Sequence, residues 1–330
     1  MKSNMKIILS LSIALSLGAY YYLNQTNIID KGDIETKKLT IGFPILRIAL
    51  PVIVAQKNGY FKQEGLDVEL KSYVTAQPMM DALVSGKIDM GGFCALPITF
   101  SAMARSKTEL LFLGGMYEND EHPISVMLIK EDDTEIKTIK DLKGKKIGIL
   151  PTRAYEVWLQ DILVSNGVDL QDVIIKQISP KLQADALKKR SVDAIFTNDP
   201  ASTMVVQKGV GKKLTNNALV PEATGFSEFY FGSFNIRKDF ADKNPQIVNK
   251  IAIALDKANS FISDNQDDAR LMLKDYFPEV FHKIIKYFPK SYFKQSNEVS
   301  DVDLGKMKNF YLKKHMLPVN INLDGMQYGY

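Results

Sequence analysis

One short pattern occurs twice in this sequence, and it constrains the fold more than any other feature. Ala82 opens the stretch ALVSGKIDMGGF, and Ala186 opens ALKKRSVDAIFT. Each stretch places Ala-Leu, then four residues, then an Ile-Asp or Val-Asp pair. Around both copies, apolar runs typical of strands alternate with amphipathic runs typical of helices. The sequence therefore predicts two β-α-β-α-β units in tandem.

Strands that alternate with helices form parallel sheets with helices on both faces. Ligands of such sheets bind outside the carboxyl ends of the strands. Two units that face one another would form a clamshell, which closes on a ligand by hinge motion. We expect an α/β protein of two lobes joined by two crossover strands, one in PISVMLIK and the other from Phe229 to Asn235. The helical tail from Pro245 is expected to pack back on the first lobe.

These elements divide the chain into four parts. Residues 1–30 are the N-terminal segment, residues 31–129 the first part of lobe 1, residues 130–227 lobe 2, and residues 228–330 the return to lobe 1 with its helical tail.

The N-terminal segment indicates export. Lys2 and Lys6 precede an apolar run from Ile7 to Leu23. A basic start before such a run is typical of a signal peptide, but the run is also long enough for a short membrane anchor. Both interpretations stay open. We therefore expect the protein in the periplasm, or held by an anchor at the outer face of the cytoplasmic membrane.

Composition excludes several classes of function. The formal net charge is only +4 and no dense basic patch stands out, so nucleic acid is not an expected partner. The single cysteine, Cys94, excludes an internal disulfide. The three histidines are too widely spaced to build a local metal site, and no cofactor is expected.

Four motifs together resemble one known family. They are AQKNGYFKQEGLDVEL, GKIDMGGFCALP, DLKGKKIGI and VDAIFTNDP, and the resemblance runs from about Lys38 to Asp242. The motifs are similar to those of substrate-binding proteins of ABC importers, of the nitrate, sulfonate and taurine type, a family that also includes binders of thiamine pyrimidine precursors. The resemblance implies the type II periplasmic-binding-protein fold, no catalysis, and delivery of a ligand to a membrane permease and its ATPase. A monomer is expected.

The ligand site is expected where loops follow the strands. The candidate residues are Phe43, Arg47, Gln77, Phe93 and Cys94 in the first lobe, and Thr152, Arg153, Asn198 and Asp199 in the second.

Three of these residues have alternative roles. Arg47 is the only charge in GFPILRIALPVIVA, and it is either a ligand group or an arginine at the lobe interface. Arg153 either pairs with an anion or lies on the surface of a helix. Asp199 either accepts a hydrogen bond from a ligand amine or caps the next helix. Whether Cys94 or His122 contacts the ligand stays open.

The arginines favour a small anion such as a sulfonate, taurine or nitrate. The aromatic residues together with Asp199 and Glu121 would suit a flat, amine-bearing heterocycle such as a pyrimidine precursor. A tethered receptor without transport is a further alternative. An enzyme resembling pyrimidine synthases is the weakest, because the Cys-rich motif of those enzymes is absent.

Overall fold

A computed structural model of the protein describes residues 38–317 and 321–329. The expected signal peptide or membrane anchor, residues 1–30, lies outside this part of the chain. Among the helices that the structure describes, none is long and apolar enough to span a membrane.

Strands and helices alternate through the first two thirds of the described chain, and helices dominate the last third. The strands are β1 (Leu39–Pro44), β2 (Val68–Tyr73), β3 (Met90–Ala95), β4 (Leu110–Glu118), β5 (Val126–Lys130), β6 (Lys146–Ile149), β7 (Ile174–Gln177), β8 (Ala194–Thr197), β9 (Gly211–Lys213), β10 (Phe229–Arg237) and β11 (Tyr292–Lys294). The helices are α1 (Leu50–Lys57), α2 (Tyr60–Gln63), α3 (Ala76–Val84), α4 (Leu96–Ser106), α5 (Arg153–Ser165), α6 (Pro180–Lys188), α7 (Ala201–Gln207), α8 (Leu219–Thr224), α9 (Lys238–Lys243), α10 (Pro245–Asp264), α11 (Gln266–Leu271), α12 (Glu279–His282) and α13 (Asp301–Lys313).

The strands form two sheets, of six and five strands, and the strand order of the second sheet matches that of the first when one of them is read in reverse. The first sheet runs β11-β4-β10-β3-β1-β2 and the second runs β7-β6-β8-β5-β9. In each sheet the first strand of a β-α-β-α-β unit lies between the other two and pairs parallel with both. An antiparallel strand then follows, β10 beside β3 and β5 beside β8. The two predicted units and the two-lobed α/β fold are confirmed.

The chain passes between the sheets twice. It leaves the first sheet after β4 and enters the second with β5, and it returns from β9 to β10. The C-terminal part then packs on the first sheet, because α10 contacts α1 and β11 pairs with β4. The boundaries given above for the lobes stay predictions; the structure places β5, including its residues 126–129, in the second sheet.

The repeated Ile-Asp and Val-Asp pairs have one structural role. In the first sheet the Asp89 carboxylate accepts a hydrogen bond from the Thr40 N–H, and the Asp89 N–H donates to the Thr40 carbonyl, both at 2.9 Å. In the second sheet Asp193 makes the same two bonds with Lys146, both at 2.8 Å. Each aspartate fixes the first strand of its unit beside the third. The sequence repeat is therefore a repeat of strand register.

Asp193→Ala is expected to lower the free energy of unfolding by about 1 kcal/mol, because the Lys146 N–H loses its side-chain acceptor. Asp193→Asn keeps an acceptor oxygen, so its free energy of unfolding should fall by less. Asp185→Ala, at an exposed position on α6, is the matched control and should change stability by less than about 0.5 kcal/mol. Denaturant unfolding measures all three. Equal losses for Asp193→Ala and Asp185→Ala would contradict the role in strand register.

Candidate functional site

A buried ion pair joins the two lobes. Arg47 begins the 3₁₀ segment that follows β1 in the first lobe, and Asp199 lies just after β8 in the second. The Arg47 Nε lies 3.6 Å from the Asp199 Oδ2, and both side chains are only 2% exposed. The two residues meet because the carboxyl ends of the parallel strands in each lobe face the other lobe. The structure therefore brings together two of the nine predicted site residues.

Both partners of this ion pair are held by further hydrogen bonds. The Arg47 Nη1 donates to the Ser291 Oγ at 2.8 Å and to the Lys290 carbonyl at 3.2 Å. The Asp199 Oδ1 accepts from the Ser202 Oγ at 2.7 Å, from the Thr203 N–H at 3.1 Å and from the Thr203 hydroxyl. Asp199 thus binds the first turn of α7 with one oxygen while its other oxygen faces Arg47. Arg47 lies at the lobe interface.

Glu118 is a second acid in this region that sequence reasoning missed. It is the last residue of β4 and fully buried, and its Oε1 accepts from the N–H groups of Ile124 (3.0 Å) and Ser125 (2.9 Å). The Ser125 hydroxyl in turn lies 3.1 Å from the Tyr155 hydroxyl. Burial raises the pKa of Glu118 to about 7, although the two N–H donors and the charge of Arg47 act in the opposite direction. The available signal was one acid at the end of the apolar run LLFLGGMYE.

We call Arg47, Glu118, Ser125, Tyr155, Asp199 and Ser291 the interlobe cluster. Burial lowers the pKa of Arg47, while the charges of Asp199 and Glu118 act to raise it, so the three charged groups are within electrostatic reach of one another.

Three polar atoms of the interlobe cluster are buried without a hydrogen-bond partner in the protein. They are the Arg47 Nε, the Glu118 Oε2 and the Asp199 Oδ2. A buried polar atom without a partner costs about 1–3 kcal/mol, and such atoms are few in folded proteins. Their concentration between two lobes indicates a polar site that the protein alone leaves incomplete.

Three other candidates of the first lobe lie in its core. Phe43 packs edge-on against Tyr276, at 5.7 Å between ring centroids. Phe93 and Cys94 were expected in a loop, but β3 continues through them and both are fully buried. The loop prediction was wrong because β10 pairs with this segment and extends the strand. Burial raises the pKa of the Cys94 thiol to about 12, so the thiol stays protonated at neutral pH.

Three further candidates lie where helices begin after strands, and none of them hydrogen-bonds to Arg47, Glu118 or Asp199. Gln77, in the first lobe, donates to the Asp81 carboxylate at 2.9 Å. Thr152 is exposed and caps α5, since its hydroxyl oxygen accepts from the Tyr155 N–H at 3.4 Å. Arg153 is exposed and pairs with Glu156 at 2.8 Å.

Two half-buried residues complete the candidate set. The Asn198 carbonyl accepts from the N–H of Ser202, at 3.0 Å. The His122 Nδ1 lies 3.0 Å from the Asn119 Oδ1, and its ring lies 5.3 Å from that of Tyr292. The ligand contacts of all these candidates stay predictions.

Two lobes joined by two chain crossings, with a buried polar cluster between them, define the two-lobed α/β fold of periplasmic binding proteins. The chain belongs to the family described as NMT1/THI5 like, which it matches over residues 49–269.

Curated relatives of this chain include proteins named for nitrate and for taurine. It is 26% identical over 247 residues to the nitrate/nitrite binding protein NrtA of Nostoc sp., covering 69% of this chain and 54% of that protein. It is 25% identical over 218 residues to the taurine-binding periplasmic protein of Escherichia coli, covering 66% and 64%. The nitrate import ATP-binding protein NrtC of Synechocystis sp. is 20% identical over 301 residues, covering 86% and 44%. The chain thus spans between 44% and 64% of the length of these relatives.

Solved structures share the fold. The periplasmic aliphatic sulphonate binding protein SsuA of Escherichia coli superposes with a TM-score of 0.71 at 17% identity, covering 88% of this chain and 97% of that one. The desulfurization enzyme DSZB superposes with a TM-score of 0.62 at 14% identity, covering 88% and 96%. At such identities the likeness shows the fold alone, and the fold occurs in both binding proteins and an enzyme.

Glu118→Gln is expected to reduce the pH dependence of stability. With a pKa near 7, folded Glu118 keeps a proton that the unfolded chain, with a pKa near 4.5, releases. The free energy of unfolding of the unchanged protein should therefore fall by about 2–3 kcal/mol as the pH rises from about 4.5 to about 7. Denaturant unfolding at about pH 5 and about pH 8 measures this difference.

The matched control is Glu121→Gln, three residues away and exposed, which should keep the dependence of the unchanged protein. If Glu118→Gln and the unchanged protein lose the same stability between the two pH values, the raised pKa of Glu118 in the folded protein is contradicted.

Proposed function

We propose that this protein is the extracytoplasmic solute-binding component of an ABC importer, and that the interlobe cluster is its ligand site. The observation that carries the proposal is the buried Arg47–Asp199 pair between the lobes, whose facing atoms make no hydrogen bond, together with the buried Glu118 Oε2, which also has no hydrogen-bond partner in the protein. Binding sites place a few convergent polar groups in an otherwise apolar environment, often between domains. The relatives that bind nitrate and taurine support the same assignment.

Capture of a ligand at this site requires the lobes to separate. The side chains of Arg47, Glu118 and Asp199 are all less than 5% exposed, so a solute cannot reach them from solvent in this conformation. The two crossings between the sheets are the natural hinge, because few residues join the lobes there. The ligand would bind between the opened lobes, and closure would then exclude water from the polar contacts.

The family supports a proposal for the partners and location of this protein. We propose a monomer that delivers its ligand to a permease and an ATPase at the membrane, and that works in the periplasm or at the outer face of the cytoplasmic membrane. The similarity to an ATP-binding protein of nitrate import supports the pairing with an ATPase.

We propose binding without catalysis. Cys94 is the single cysteine, and its buried, protonated thiol is a poor nucleophile. Its hydrogen-bond contacts are to Thr99 and to the backbone of Ala95, and neither group is a base that would activate it. The enzyme DSZB has the same fold, and fold alone does not decide between the two functions.

The prediction of an anionic ligand now depends on one arginine. It was based on Arg47 and Arg153, but Arg153 pairs with Glu156 on the surface of α5. Arg47 supplies the N–H groups that would hold an acceptor group of the ligand.

The double variant Arg47→Gln/Asp199→Asn is expected to weaken ligand binding at least about 100-fold, because it removes both charged contacts. Changing both residues avoids leaving one buried charge unpaired. Calorimetric titration of the full chain with sulfonates, taurine, nitrate, bicarbonate and aminopyrimidines measures the affinity.

Arg105→Gln is the matched control, since Arg105 is an exposed arginine paired with Asp81 on the first lobe. It should bind like the unchanged protein. Unchanged affinity in a folded double variant would show that the ligand binds elsewhere.

A further inference from the structure

The interlobe cluster contains more acidic than basic side chains. It contains one cation, Arg47, and two acids, Glu118 and Asp199, which together give a net charge of −1 when both acids are ionised and 0 when Glu118 carries a proton; Arg270, outside the cluster, also acts electrostatically on Arg47. A simple anion such as nitrate or an alkanesulfonate would add a further negative charge to a buried site. Burial of uncompensated charge is costly, so the electrostatics of the cluster disfavour such a ligand.

Acceptors also outnumber donors among the buried atoms of the cluster that make no hydrogen bond. One of them is a donor, the Arg47 Nε–H, and two are carboxylate oxygens, the Glu118 Oε2 and the Asp199 Oδ2. Nitrate and alkanesulfonates have acceptors only, so they would satisfy Arg47 and leave Asp199 without a donor. An amino group donates to carboxylates, and an acceptor in the same molecule would receive the Arg47 N–H.

We infer that the ligand carries an amino group beside an acceptor group, with the amine at Glu118 and Asp199 and the acceptor at Arg47. This inference rests on the proposed function of the interlobe cluster. It assigns Glu118 as a specificity-determining residue, and it places plain oxyanions outside the preferred ligands of this protein.

Two of the three uncharged members of the cluster, Ser125 and Ser291, fit this arrangement. The Ser125 N–H fixes the Glu118 Oε1 at 2.9 Å and leaves its second oxygen available to the ligand. The Arg47 Nη1 donates to the Ser291 Oγ at 2.8 Å, while the Arg47 Nε makes no hydrogen bond and faces the Asp199 Oδ2 at 3.6 Å. Each charged side chain is thus fixed by hydrogen bonds through one atom and has a second atom that makes none.

Matched pairs of probes that differ only in the amino group test the inference. They are taurine against ethanesulfonate, β-alanine against propionate, and 4-aminopyrimidine against pyrimidine. In calorimetric titrations of the full chain, we expect the amino member of at least one pair to bind at least about tenfold more tightly than its partner. The inference is overturned if no amino member binds more tightly than its plain partner, or if no amino member binds at millimolar concentration.

Glu118→Gln keeps the shape of the side chain and removes its charge, so it should narrow the preference for the amino member several-fold. Glu121→Gln, exposed and outside the cluster, should keep the full preference. An unchanged preference in a folded Glu118→Gln variant would overturn the role of Glu118. Glu118→Asp keeps the carboxylate on a shorter side chain. It should therefore retain part of the preference for the amino member that Glu118→Gln loses.

The protons exchanged on binding give an independent readout. An amine beside Glu118 lowers the pKa of that carboxyl, so binding near pH 7 should release protons, whereas a plain anion beside Arg47 would cause uptake. Arg47 acts on Glu118, Asp199 and Tyr155 share its surroundings, and Arg270 and His122 interact electrostatically with Arg47. Titrations in two buffers of different ionisation enthalpy give the sign, and proton uptake with the amino member would contradict the inference.

The two proposals fail in distinguishable ways. If plain anions bind tightly and the double variant Arg47→Gln/Asp199→Asn abolishes that binding, the ligand site stands and the amino-group inference is wrong. If the double variant binds every probe like the unchanged protein, the proposed site itself is wrong.

Discussion

The buried pair of Arg47 and Asp199 is the interaction on which the relation of the two lobes depends. Each partner belongs to a different sheet, and each is tied to its own lobe by hydrogen bonds, Arg47 to Ser291 and Asp199 to the first turn of α7. A buried ion pair contributes little net stability, but the loss of one partner leaves an uncompensated charge. The pair therefore acts less as a source of stability than as a constraint on how the lobes meet.

The repeated aspartates explain why these two residues are in a position to meet. Asp89 and Asp193 set the register of the parallel strands in their sheets, and parallel strands direct all their carboxyl ends to one edge. Arg47 follows such a strand in one lobe and Asp199 in the other. The repeat in the sequence thus builds the frame of the site, while residues outside the repeat supply its chemistry.

Relatives of this chain bind nitrate or taurine, and an enzyme of desulfurization shares its fold. The polypeptide architecture is common to these activities, so the fold does not decide the ligand. In this protein the polar side chains between the lobes include two acids and one arginine. We propose that their balance, more than the presence of an arginine, determines which small molecules the proposed site accepts.

The sequence alone determined the fold, because strand and helix periodicities and the turn residues between them are local properties of the chain. The doubled β-α-β-α-β pattern, the two crossings and the helical tail could all be derived from it. The sequence also identified Arg47 and Asp199 as candidates, since a charge in an apolar run is visible without a structure.

Only the tertiary structure decided which candidates act together. It paired Arg47 with Asp199 across the lobes, added Glu118 from the end of β4, and placed Arg153 on the surface beside Glu156. It also buried Phe93 and Cys94 inside a strand, because β10 returns from the far part of the chain to pair there. Burial and charge pairing arise from segments distant in sequence, and no local pattern encodes them.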